Sequence, residues 1–336
     1  MRAIQISKTI ALAHRINRPL MVWGPPGVGK SSLFHQYAEE QSIRLLDWRL
    51  TMMDPVDMRG TPRVLNEVTH WAPPVELPRD RKSKGIILLD ELPQARADTK
   101  NVAAMLVLER RIGEYRLPEG WWIAAAGNRM SDAAGTSPMP KHLDNRFWHV
   151  GFDLSVEDWL AWAEAHAIDY RVYAYIKYRP EALLEFDPRS KDPAFATPRS
   201  MHLLSDIVTT LDASGSMMTD HSPDELGEFF GGAVGSARGR EFAGFLNAMH
   251  SLVQIDDVLA HPLTAPLSDD PSICYALMTA LAVAVNRQTM VAAVSYVARL
   301  PREFGVLFMH AIDQKQPNLQ KSSAYVSMCK DYAEAI

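Results

Sequence analysis

One eight-residue stretch constrains this chain more than any other: Gly24-Pro25-Pro26-Gly27-Val28-Gly29-Lys30-Ser31, a match to G-x-x-x-x-G-K-S/T that directly follows the apolar run Leu20 to Trp23. Glycines let the backbone curl so that successive N–H groups face phosphate oxygens. Lys30 supplies a point charge for the outer phosphates, and the Ser31 hydroxyl can take Mg2+. The helix expected from Ser31 to about Gln41 turns the positive end of its dipole toward the same anion. The stretch reads as a nucleotide site.

Two further runs extend that reading. Gly85-Ile86-Ile87-Leu88-Leu89-Asp90-Glu91 is continuously apolar and ends in two carboxylates. Continuous burial predicts a central parallel strand covered on both faces, which places the chain in the α/β class. In open parallel sheets ligands lie at the carboxyl ends of strands, where Asp90 and Glu91 fall. Asp90 is suited to orient Mg2+ through its water shell, and Glu91 to take a proton from the water that attacks a γ-phosphate. Trp121 to Gly127 repeats the pattern and ends at Asn128, a candidate hydrogen-bond partner for the γ-phosphate or its attacking water; an ordinary turn asparagine is the alternative. Between the landmarks, residues 2–16 read as an amphipathic helix, Ile43 to Leu50 as a second strand, and Ala95 to Arg111 as a helix. Ile112 to Gly120 reads as a small hairpin-like insertion. Thr51 to Lys84, rich in Pro, Asp and Arg, reads as an excursion from the core rather than a packed element.

Size and charge limit the alternatives. At 336 residues the chain exceeds what one core usually serves, so two or three packed units are expected. The net charge of −5 argues against a protein whose main partner is a nucleic-acid backbone. Cys274 and Cys329 are far apart and outside any C-x-x-C, which indicates neither a disulfide framework nor a zinc site and fits a reducing, cytoplasmic setting. The longest uncharged stretch, Pro271 to Asn286, is shorter than the about 20 residues that span a bilayer, and no signal-peptide pattern opens the chain; a soluble protein is expected. Eleven histidines carry no ligand spacing.

Taken in order, these motifs resemble the AAA+ ATPases, most closely the MoxR-like branch. Gly24 to Ser31 resembles Walker A, which with Ser32 would bind ATP. Leu88-Leu89-Asp90-Glu91 resembles Walker B, and Asn128 resembles sensor 1. Leu143-Asp144-Asn145-Arg146-Phe147 is similar to the family's L-D-R-F segment with one residue inserted, which makes Arg146 the candidate arginine finger; Arg129, next to Asn128, is the alternative. Thr197-Pro198-Arg199 resembles sensor 2, with Arg199 its arginine. The excursion after the second strand resembles the helix-2 insert, and the segment around Tyr115 the pre-sensor-1 hairpin. The resemblance covers roughly residues 1–215. It implies a five-stranded parallel sheet in the order 5-1-4-3-2 and a helical lid carrying sensor 2. It also implies ATP and Mg2+ as cofactors, with Ser31 and Asp90 holding the metal. Catalysis would rest on Glu91, Asn128, Arg146 and Arg199. The implied assembly is a homo-oligomeric ring, a hexamer, that remodels, activates or assembles a client protein, in this branch often with an adaptor carrying a von Willebrand A domain. A nucleic-acid motor or loader is the alternative, disfavoured by the acidic charge.

The second half is helical by pattern. Trp148 to Asp153 reads as a last short strand, and Ser155 as the N-cap of a helix whose tryptophans form core. Another helix is expected over Met201 to Thr210, a loop over Leu211 to Pro223, and helices over residues 241–255 and 272–331. Gly231 to Gly239 lacks a lysine and follows no apolar strand, so it reads as turns or close helix packing. Arg79, Arg81, Lys82 and Lys84 read as a solvated turn. The expected division is a nucleotide-binding core over 1–153, a lid over 154–255 and a C-terminal helical region over 256–336.

Overall fold

The computed structural model describes residues 1–132, 135–187, 189–190, 192–252 and 255–332. It divides into two units, residues 1–158 with 186–190 and residues 159–185 with 191–336.

The first unit is built on two strands that face no water. β5 (Gly85–Asp90) is buried at every position and so is β8 (Trp121–Gly127), because both are apolar without interruption and neither has a solvated face to serve. They pair in parallel, Leu89 opposite Ala125. β1 (Leu20–Trp23) joins the other edge of β8, and β9 (Trp148–Gly151) the far edge of β1. β2 (Arg44–Arg49) flanks β5 on the opposite side. Over the whole chain the sheet order is 2-5-8-1-9, because two inserted hairpins enter the count; over the five sheet strands alone it is 5-1-4-3-2 read from the β9 edge. Helices α1 (Ala3–Arg15), α2 (Lys30–Glu40) and α4 (Ala97–Glu109) belong to this unit. The two buried tryptophans of β8 satisfy their ring N–H groups: Trp121 donates to Ser83 Oγ at 3.0 Å and Trp122 to the Arg18 carbonyl at 2.7 Å.

The segment expected to be a mere excursion is partly structured. A short helix, α3 (Pro55–Arg59), opens with the Asp54 N–H donating to Asp57 Oδ2 at 2.8 Å, and Met58 is fully buried. Gly60, at φ +86°, then leads the chain into an antiparallel hairpin, β3 (Thr61–Leu65) and β4 (Val68–Ala72), which reverses at Asn66 (φ +51°) and Glu67 (φ +65°). Proline and charge in the sequence masked a hairpin because its strands are largely exposed and carry no apolar alternation. The second insertion is as expected, β6 (Arg111–Ile112) against β7 (Tyr115–Arg116). The two hairpins meet where His70 Nδ1 lies 3.3 Å from Glu114 Oε2.

In the second unit the described elements are helical. After α5 (Lys141–Asp144) of the first unit come α6 (Val156–Ala165), α7 (Tyr170–Tyr178) and α8 (Pro198–Leu211). The loop expected over 211–223 contains a short helix, α9 (Met217–Asp220), whose first N–H is held by Asp212 Oδ1 at 3.3 Å. α10 (Pro223–Val234) and α11 (Ser236–Leu252) cross at the glycine-rich segment: a Cβ on Gly239 would lie 2.2 Å from the Gly231 nitrogen. Close helix packing explains those glycines. A separate core gathers α12 (Ile255–Ala260), α13 (Pro271–Ala284), α14 (Met290–Val297), α15 (Arg302–Lys315) and α16 (Ser323–Tyr332) around Phe308 and Tyr296. No helix among the described residues is long and apolar enough to cross a membrane.

Candidate active site

The site lies where four parallel strands end. Between β1 and α2 the chain must turn within six residues, and Gly27 (φ +75°) and Gly29 (φ +95°) take the left-handed conformations that this requires. Gly24 is pinned to the neighbouring strand by its N–H, which donates to the Gly127 carbonyl at 3.2 Å. Lys30, the first residue of α2, is only 8 % exposed. Its ammonium donates to the Gly24 carbonyl, the Pro25 carbonyl and Asn128 Oδ1, each at 2.8 Å. Loop carbonyls and the asparagine thus surround a charge of the kind that pairs with phosphate oxygens. Val28 is buried and Ser32 exposed on α2.

Asp90 ends β5 beside the start of α2, and the Ser31 hydroxyl donates to its Oδ2 at 2.7 Å. Burial pushes the Asp90 carboxyl above its ordinary range; the Ser31 hydrogen bond opposes this, and the nearby Asp47 carboxylate adds to it. Asp47 Oδ1 is itself buried without a hydrogen-bond partner. A hydroxyl and a buried carboxylate in contact are the hard oxygen donors that Mg2+ takes from a protein when phosphates and water complete its shell. The residues fit the metal, although no cluster of three or more acidic, His or Cys side chains exists among the described residues. ATP fits the same place on the geometry of the loop and of Lys30.

Glu91 follows at φ +57°, a left-handed conformation that is uncommon outside glycine and turns its side chain away from the line of β5. Its carboxylate accepts a hydrogen bond from the Thr51 hydroxyl, and its N–H donates to Asp90 Oδ1 at 2.9 Å. Thr51 was not legible as a site residue: it stands 40 positions away and reaches Glu91 only because β2 pairs with β5. Gln94 Oε1, buried and unpartnered just beyond Glu91, is a second such residue.

The arginines are placed differently from one another. Arg129, just past β8, is engaged with the end of β9, donating to the Phe152 carbonyl at 3.4 Å and pairing with Asp153 at 3.5 Å. Arg146 is exposed just after α5, its N–H accepted by the Leu143 carbonyl. Arg199 is exposed in the first turn of α8, in the second unit. That turn is capped reciprocally, the Ser200 N–H donating to Thr197 Oγ1 at 3.1 Å and the Thr197 N–H to Ser200 Oγ at 2.8 Å. The structure therefore brings Gly24 to Ser31, Asp90, Glu91 and Asn128 together. Arg129 lies beside them on the same unit.

Residues 20–137 match the family model described as the ATPase family associated with various cellular activities (AAA). Over 153 residues, 43 % of this chain, the sequence is 32 % identical to Midasin from Giardia intestinalis, of whose length the match spans 3 %. Among solved structures, NtrX from Brucella abortus in complex with ADP superposes with a TM-score of 0.43 at 14 % identity, covering 98 % of this chain and 66 % of that one. A RuvB mutant from Thermotoga maritima superposes at 0.36 with 11 % identity, covering 98 % and 88 %. These structural likenesses are too loose to carry any property across. The family match falls on the elements that hold the phosphate loop, Asp90, Glu91 and Asn128, so over residues 20–137 the chain is similar to the AAA ATPases.

Proposed function

We propose that the chain is a ring-forming ATPase of the MoxR-like kind, a hexamer, that uses ATP hydrolysis to remodel or assemble a partner protein in the cytoplasm. In this reading Lys30 and the loop N–H groups hold the outer phosphates, and Glu91 takes the proton of the attacking water. Ser31 and Asp90 would hold Mg2+, which neutralises charge on the phosphate oxygens. Asn128, bonded to Lys30 Nζ, fixes the height of the γ-phosphate above the sheet. Arg199 is the candidate sensor 2 arginine, and Arg146 the candidate finger for a neighbouring subunit's phosphates. The core would end near residue 153 and the lid near 255, with the C-terminal helices beyond; a von Willebrand A domain protein is the expected adaptor.

The observation that carries the oligomeric part is the contrast between the two arginines. Arg129 is paired with Asp153 past the end of β9, whereas Arg146 is exposed just after α5, placed to serve a site other than its own. A finger stabilises charge that develops on a γ-phosphate and acts across a subunit boundary. The test is the specific ATPase activity measured against protein concentration, with mass measured in parallel. Activity that rises with assembly supports the reading, and constant activity in a monomer overturns it. Stimulation by DNA or RNA that fades steeply with salt would replace the protein client by a nucleic acid.

A further inference from the structure

Lys100, in the first turns of α4, is 2 % exposed and lies outside every motif named above. Its ammonium has three N–H groups and three oxygen partners: the Pro93 carbonyl at 2.7 Å, the Ser137 carbonyl at 3.1 Å and Ser137 Oγ at 2.6 Å. None of these is a carboxylate. Burial accordingly lowers its pKa. A charge sequestered among neutral oxygens is a costly way to fill a core position, since an apolar side chain of similar length would avoid the desolvation.

What Lys100 joins accounts for the cost. Pro93 stands two residues after Glu91, in the 3₁₀ turn Leu92–Gln94 that Glu91 caps. The Pro93 ring packs against Gly127, where a Cβ would lie 2.2 Å from Pro93 Cδ, and Gly127 immediately precedes Asn128. The Pro93 carbonyl also accepts the Ser137 N–H at 3.0 Å. Ser137 leads through buried Met139 into α5 and so toward Arg146. One turn therefore adjoins both Glu91 and the strand end before Asn128, and Lys100 ties that turn to the segment that follows Asn128.

We propose that Lys100 is a positioning residue for hydrolysis: it locks the Pro93 turn and Ser137 together, which holds Glu91 and Asn128 at the spacing that the attacking water requires. Nucleotide binding, which rests on the loop and Lys30, does not depend on the lock. The proposal rests on the assignment of Glu91 and Asn128, and Glu91→Gln serves as its control.

The experiment compares full-length wild type, Lys100→Met, Ser137→Ala and the double variant. ATP affinity is read by fluorescent-nucleotide titration, turnover by phosphate release, and folding by thermal melting. Expected are ATP affinity within about threefold of wild type and a kcat lowered roughly 10- to 100-fold in Lys100→Met, as misplacement without loss of binding produces. A smaller loss is expected in Ser137→Ala, and a double variant no worse than Lys100→Met, because both act through one contact. A kcat within twofold of wild type in Lys100→Met, or affinity and turnover falling in proportion to lost folded protein, overturns the proposal. If Lys100→Met does not fold, Ser137→Ala decides: unchanged kcat overturns it, and a fall in kcat at constant affinity supports it. Wild-type turnover in Glu91→Gln would instead overturn the assignment of the base.

Discussion

Lys30 Nζ lies 2.8 Å from Asn128 Oδ1, across 98 positions of sequence and two adjacent parallel strands. The candidate phosphate-gripping lysine is thereby joined to the candidate sensor asparagine, so a shift of one side chain is felt by the other. Beside this pair the Ser31 hydroxyl is bonded to Asp90 Oδ2 at 2.7 Å, so the phosphate grip and the candidate metal site share the first turn of α2.

Lys30→Ala removes the charge at the centre of the loop. Nucleotide affinity should fall at least about 100-fold, equivalent to about 2.7 kcal/mol, with thermal stability little changed. Isothermal titration with ATP checks this, and retained affinity would detach Lys30 from the phosphates.

Glu91→Gln keeps the shape of the side chain and an oxygen acceptor for Thr51 but cannot take a proton. ATP binding should stay within about threefold while kcat falls by about 100-fold or more. Single-turnover hydrolysis distinguishes a chemical defect from slow product release.

Asp90→Asn should separate stability from function. Burial holds the Asp90 carboxyl above its ordinary pKa of 3.8, so protonation favours the folded chain. Stability from this group is complete below the unfolded pKa and is lost as pH rises through the raised folded value. The Asn variant escapes that loss. Without nucleotide or metal it should melt higher than wild type near neutral pH, and the gap should close as pH falls toward about 4. Stabilisation by Mg2+ with ATP should disappear in the same variant. Melting curves across pH, with and without Mg2+ and ATP, test both halves.

Gly127→Ala would place a methyl 2.2 Å from Pro93 Cδ and 2.6 Å from Cγ, atoms of a ring fixed in a buried turn. Overpacking of this kind costs roughly 1–3 kcal/mol. The turn beyond Glu91 should be displaced, so kcat should fall further than ATP affinity. Urea unfolding and the split between kcat and Kd measure the two effects.

Arg146→Ala should bind ATP normally and hydrolyse it slowly. Mixing it with Lys30→Ala subunits, which keep Arg146 but cannot grip ATP, should restore part of the activity if the arginine works across a subunit boundary. Mixtures no more active than the sum of their parts would return the role to Arg129.

Much of this was legible because it is written in contiguous residues. Gly27 and Gly29 permit the loop, the apolar runs ending at Asp90 and Gly127 can only be covered strands, and each run delivers its polar residue to the same end of a parallel sheet. Residues 61–72 were illegible because an exposed hairpin needs no apolar alternation, and its reversal rests on the left-handed conformations of Asn66 and Glu67 rather than on a glycine. Thr51, Gln94 and Lys100 were illegible for another reason: a threonine, a glutamine and a lysine in those stretches are ordinary by type, and a role comes to them only from what the fold sets beside them. The sequence by itself determined the phosphate loop, the class of sheet and the chemistry available at its edge, because backbone conformation and strand burial are local properties. Which strands lie side by side is a property of the packed chain, and that alone decided that Lys30 meets Asn128, Thr51 meets Glu91 and Lys100 meets Ser137.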